Sequence, residues 1–142
     1  MTGEEERQLA VDLFNEVWRL MESRADDDRM LHAAHASRHH WGEVGEAKNL
    51  ARGEWQCSRV YTVLGRAEPA LHHARRCLAI CEYGKVEDWD LPYAYEAIAR
   101  AYLTAGEPEQ AASYAQLARE VGESVSDPED REHLFEDLAT LP

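Results

Sequence analysis

Residues 99–119 read ARAYLTAGEPEQAASYAQLAR. The alanines recur at spacings of three and four, which places them on one face of a helix. The stretch AGEPEQA interrupts them. The run therefore predicts two helices joined by a tight turn, with Gly106 ending the first, where a left-handed residue is easiest to supply.

The pattern occurs twice. Moving back 41 positions pairs Arg100 with Arg59, Tyr102 with Tyr61 and Gly106 with Gly65. Glu109 pairs with Glu68, Ala111 with Ala70 and Ala115 with Ala74. Ala99 pairs with another small residue, Ser58. In a helical hairpin the small residues let the two axes approach, and the tyrosine fills the space beside them. The alanines are thus expected to be contact residues.

Ser58, Tyr61, Gly65, Ala70, Ala74 and Cys77, followed by Ala99, Tyr102, Gly106, Ala111, Ala115 and Ala118, resemble the tetratricopeptide repeat. The resemblance covers about residues 46–121. It departs from the family in its period, longer than the usual ~34 residues, and in lacking the closing proline. It implies an all-α right-handed superhelix of stacked antiparallel hairpins. Residues 5–41 would be a degenerate first hairpin, 46–83 and 91–121 two repeats, and 128–140 a capping helix with Leu134, Phe135, Leu138 and Leu141 on one side.

The rest of the chain agrees with one helical domain. Gly, Pro and acidic clusters break it at 23–28, 42–46, 65–69, 83–92, 106–108 and 122–128. Seven helices are predicted, over about 5–23, 27–41, 46–64, 67–83, 91–105, 108–121 and 128–140. No segment alternates strictly, so no strand is expected. Asp127 before Pro128 is a good helix start.

Composition narrows the function classes. Hydrophobic residues are 44% and charged residues 30% of the 142, the balance of a soluble globular chain. A net charge of −13 opposes nucleic-acid binding, which needs a basic face, and opposes anionic membranes. No apolar run of about 20 residues predicts a membrane span. The acidic start MTGEEERQLA does not suit a secretory signal. Three cysteines, Cys57, Cys77 and Cys81, suit a reducing, cytoplasmic setting, with Cys77 and Cys81 as small core residues.

In the tetratricopeptide family the first helix of each unit lines a concave groove. Carried over, the resemblance assigns Arg52, Trp55, Arg59, Thr62 and Val63 to that face, then Tyr93, Glu96, Arg100, Leu103 and Thr104. Arginine can take a carboxylate or phosphate with two bonds, and Trp and Tyr offer flat apolar contact. The competing expectation is that the arginines pair with the chain's own acids, Glu96 first. On that expectation Glu96 cannot serve all three arginines, which leaves room for an external anion.

The stretch MLHAAHASRHHW places His32, His35 and His39 in one helical stripe. Such spacing can share a metal, but no HExxH or CxxC motif accompanies it. A polar or partner-facing side is the plainer reading, and no cofactor is expected. Three functions follow: a module binding a peptide or partner-protein segment, which ranks first; a metal-dependent or small-molecule-binding enzyme using the histidines; and a structural homodimer through the repeat edges.

Overall fold

The computed structural model describes residues 1–141, and among them every regular element is an α-helix. The helices are α1 (Gly3–Ser23), α2 (Asp27–Val44), α3 (Ala47–Val63), α4 (Ala67–Tyr83), α5 (Asp90–Thr104), α6 (Pro108–Gly122) and α7 (Pro128–Leu138). Their starts carry the expected chemistry. Thr2 and Glu5 close a capping box on α1. Asp26 accepts from the Arg29 amide on α2, and Asp127 accepts from the amides of Glu129 and Asp130 on α7.

The two turns paired by the sequence are the same turn. Gly65 and Gly106 have φ of 74° and 77°. After them, the Arg66 amide bonds the Tyr61 carbonyl at 2.9 Å and the Glu107 amide bonds the Tyr102 carbonyl at 3.0 Å. Each closes its helix with the six-to-one bond of a left-handed C-terminal motif. Behind the turns, Ala70, Ala74, Ala111 and Ala115 are all buried. Ser58 Oγ donates to the Ala70 carbonyl at 2.8 Å, fastening α3 to α4.

One boundary differs from expectation. Expected to end near residue 41, α2 runs on through Gly42 to Val44 and stops at Gly45, inside the break foreseen at 42–46. Its last turn is held from α1, where Arg7 donates to the Val44 carbonyl at 2.9 Å and lies over the buried Trp41 ring. Tertiary contacts outweigh the propensity of a single glycine, which costs only about 1 kcal/mol.

Helices pair as α1/α2, α3/α4 and α5/α6, and each pair packs on the next. The backbones of α1, α3, α5 and α7 also approach one another in sequence, whereas those of α2, α4 and α6 stay further apart. The odd helices therefore form an inner layer and the even ones an outer layer that splays apart. A stack wedged in this way curves toward the inner layer. Leu134, Leu138 and Leu141 bury against Tyr93, Ala99, Ala115 and Ala118, so α7 closes the end of the stack. Cys77 and Cys81 are buried free thiols between Ala51 of α3 and Ala94 of α5.

Candidate functional site

The three arginines assigned to the groove lie on the inner layer, and each meets a carboxylate of the chain itself. Arg52 Nε and Nη2 bond the two oxygens of Asp90 at 2.9 and 3.0 Å. Arg59 Nη1 donates to Glu96 Oε1 at 3.3 Å, and Arg100 Nε donates to the same oxygen at 2.6 Å. Arg100 further donates to the Asp137 carbonyl and the Thr140 hydroxyl, at 3.1 and 2.8 Å. Glu96 is fully buried. The expectation that it could not serve all three arginines is correct as far as it goes, but Asp90 supplies the difference. The space around Arg59, Thr62, Glu96 and Arg100 has no room for a water. The Thr62 hydroxyl is engaged by its own helix, donating to the Arg59 carbonyl at 2.8 Å.

What the inner layer leaves open is aromatic. A cavity of about 410 Å³ is lined by Phe14 and Trp18 of α1, Arg52 and Trp55 of α3, Trp89 and Tyr93 around the start of α5, and Asp130 and His133 of α7. Its walls pack in series, edge to face except for the tilted Trp18–Trp55 pair. Phe14 meets Trp18 at 5.6 Å, Trp18 meets Trp55 at 5.4 Å, and Trp55 and Trp89 each meet Tyr93 at 5.5 Å. These are the separations at which aromatic rings attract beyond their burial. Tyr93 is fixed twice, by these rings and by donating its hydroxyl to Asp137 at 2.7 Å. Burial, then the Asp137 carboxylate, push its phenol well above the ordinary range. Trp55 Nε1 is buried and has no hydrogen-bond partner among the described residues.

Trp55 and Tyr93 were foreseen as groove residues; Phe14, Trp18, Trp89, Asp130 and His133 were not. Phe14 and Trp18 carried a signal, an aromatic pair at i, i+4 on α1. Trp89 sits in the stretch KVEDWDL, which on the family resemblance reads as an inserted loop between repeats or a longer helix end. It serves to bring an indole over the Arg52 guanidinium, 4.5 Å from ring centre to carbon.

The histidine stripe divides among separate surroundings. His32 is exposed and lies 3.7 Å from Asp28. His39 is exposed and packs on the His40 ring. His35 turns inward, sharing a 2.8 Å hydrogen bond with the Tyr61 hydroxyl, 3.9 Å from Cys57 Sγ. Among the described residues no three His, Cys, Asp or Glu side chains are grouped as a metal site requires.

His35 belongs instead to a half-buried polar cluster between α2, α3 and α4. The buried Glu54 accepts from Arg38 Nε at 2.7 Å and from His73 Nδ1 at 2.8 Å, and the His73 ring stacks on Tyr61. Burial lowers the His35 pKa, with the nearby His73 adding to it. Burial works against the Glu54 charge, but its bonds to His73 and Arg38 outweigh it and hold the carboxyl below its usual value. The Cys57 thiol is pushed up to about 12, chiefly by burial and then by Glu54, so it is no nucleophile at neutral pH.

No helix of the described residues is long and apolar enough to cross a membrane. No protein-family model and no curated protein matches the chain.

Proposed function

We propose that this chain is a tetratricopeptide-like interaction module that binds a peptide or a segment of a partner protein along its inner layer. The observation that carries the reading is the aromatic pocket, where Trp18, Trp55, Trp89 and Tyr93 leave about 410 Å³ open at the centre of that layer. Rigid aromatic side chains give much contact area for little lost rotamer freedom, and they dominate the energetics of recognition surfaces. A core formed only for stability would fill such a volume with side chains. The groove arginines support the reading indirectly. Bound to Asp90 and Glu96, they fix the layer on which the pocket is built rather than recruit an external anion. The three free thiols accord with a cytoplasmic protein.

The test is selection from a random peptide display library on the purified protein, with counter-selection on Trp55→Ala. Circular dichroism establishes that the variant is folded. Peptides that bind the parent and lose about tenfold or more on Trp55→Ala are expected. A selection that yields no binder, or only binders indifferent to Trp55→Ala and Trp89→Ala, would overturn the proposal.

A further inference from the structure

We infer that the anchor taken by this pocket is a cation, the side chain of a lysine or arginine in a basic partner segment. The inference rests on the reading that the inner layer binds such a segment, and it names the chemistry of the residue that enters.

Charge bookkeeping within the pocket comes first. Of its four charged or titratable lining groups, Tyr93 donates its hydroxyl to Asp137, Arg52 is held with two bonds by Asp90, and His133 lies 3.6 Å from Asp137. Asp130 is different: among the described residues its half-buried carboxylate has neither an ion-pair nor a hydrogen-bond partner. The free charge of the pocket is therefore negative.

The positive ends of two helix dipoles also reach this region, since Asp90 starts α5 and Asp130 lies in the first turn of α7. Both ends are answered by the chain's own acids. Asp90 occupies the first turn of α5, and Asp127 accepts from the Glu129 and Asp130 amides at 2.8 and 3.2 Å. They leave no unanswered positive end for an external anion.

The walls add the second element. An aromatic ring is negative on its face, so a cation within about 6 Å of the centroid is attracted. The pocket already contains one such contact, the Arg52 guanidinium 4.5 Å from Trp89. A second cation entering beside Trp55 and Tyr93 would meet the same chemistry with Asp130 at the rim. The outer field has the same sign: the chain carries a net charge of −13, and α7 alone bears Glu129, Asp130, Glu132, Glu136 and Asp137. Such a surface attracts a basic segment and repels an acidic one.

The experiment uses the full chain and four synthetic peptides, acetyl-Gly-Gly-X-Gly-Gly-amide, with X lysine, arginine, norleucine or glutamate. Binding is read from the tryptophan indole resonances in nitrogen-15 NMR. Trp41, which lies outside this pocket, is the internal control. The lysine and arginine peptides should shift the Trp55 and Trp89 resonances and leave Trp41 in place. They should bind about tenfold more tightly than norleucine, the neutral side chain of matching length. Asp130→Asn should weaken the lysine peptide by about fivefold and flatten its salt response, with norleucine unaffected. Equal binding of lysine and norleucine, tightest binding by glutamate, or no indole shift with any peptide would each overturn the cation. Failure here is distinct from failure of the wider reading: neutral or acidic binders sensitive to Trp55→Ala in the display selection would leave the interaction module standing without its cationic anchor.

Discussion

Arg52 of α3 and Asp90 of α5 are joined by two hydrogen bonds, although 38 residues separate them. The pair spans the segment between α4 and α5 and lies directly under Trp89. It thus sets the distance between successive inner helices where the pocket opens. Asp90 is nearly buried and Arg52 about one third exposed. Asp90→Ala should therefore cost about 2–3 kcal/mol, somewhat below the range for breaking a fully buried pair. The variant should also gain affinity for small anions at the freed guanidinium. Denaturant melts and chloride or phosphate titrations measure both; a stability unchanged within about 0.5 kcal/mol would show that the pair is incidental.

Glu96 carries a heavier load, because two guanidinium groups converge on one oxygen. Removing the carboxylate leaves Arg59 and Arg100 close together without their counter-ion. Glu96→Ala should destabilise by about 3–5 kcal/mol. Replacing Arg59 and Glu96 together with apolar residues of similar volume should recover much of that loss, because a desolvated pair is expensive even when intact. Equal melting of the single and double variants would contradict this account.

Acid should weaken the protein in a defined window. The folded-state pKa of His35 is depressed by burial. Below the ordinary histidine value of about 6.5 the unfolded chain takes up a proton that the folded chain resists. The contribution is therefore complete above about pH 6.5 and is lost as pH falls through the depressed folded value. Glu54, also depressed, adds its own loss at lower pH, below the usual carboxylate range. Melting temperature should decline from pH 7.5 to 5.5, and His35→Phe should flatten the upper part of that decline. A parent whose melting temperature is constant over this interval would refute the assignment.

Packing of the repeats gives a further test. Ala70 and Ala111 are almost fully buried at equivalent places behind the two turns. Ala70→Leu or Ala111→Leu adds three methylene-sized groups to a closed contact and should cost about 1–3 kcal/mol. The Ala70 variant should be the worse, since Ser58 bonds the Ala70 carbonyl and holds α3 and α4 in register. Ala99, at the equivalent place in the second repeat, has no hydroxyl to do so.

The architecture was legible because it depends on local rules. Gly65 and Gly106 each announce a left-handed turn, and the alanines that follow announce close contact, whatever the rest of the chain does. The pocket was only half legible. Trp55 and Tyr93 share a helix face with the groove arginines and could be placed by spacing. Phe14 and Trp18 are related to each other by their spacing on α1, but Trp89 and Asp130 reach the pocket from the starts of other helices, and no spacing within one helix relates these three contributions. The partners of charged residues were obscure for the same reason. Glu96 lies four before Arg100 and was visible, whereas Asp90 meets Arg52 only after the stack has formed. Glu54 was missed altogether, since a carboxylate inside a helix usually faces water.

The pocket takes its walls from α1, the first helix of the stack, and from α7, the last. In a linear array each unit touches only its neighbours, so opening begins at the ends and moves inward. A ligand that touches both ends at once changes that order: neither end can fray without releasing it. Binding should therefore slow amide exchange in α1 and α7 together, by mass action on the closed array. An open chain of hairpins would behave, while occupied, like a ring.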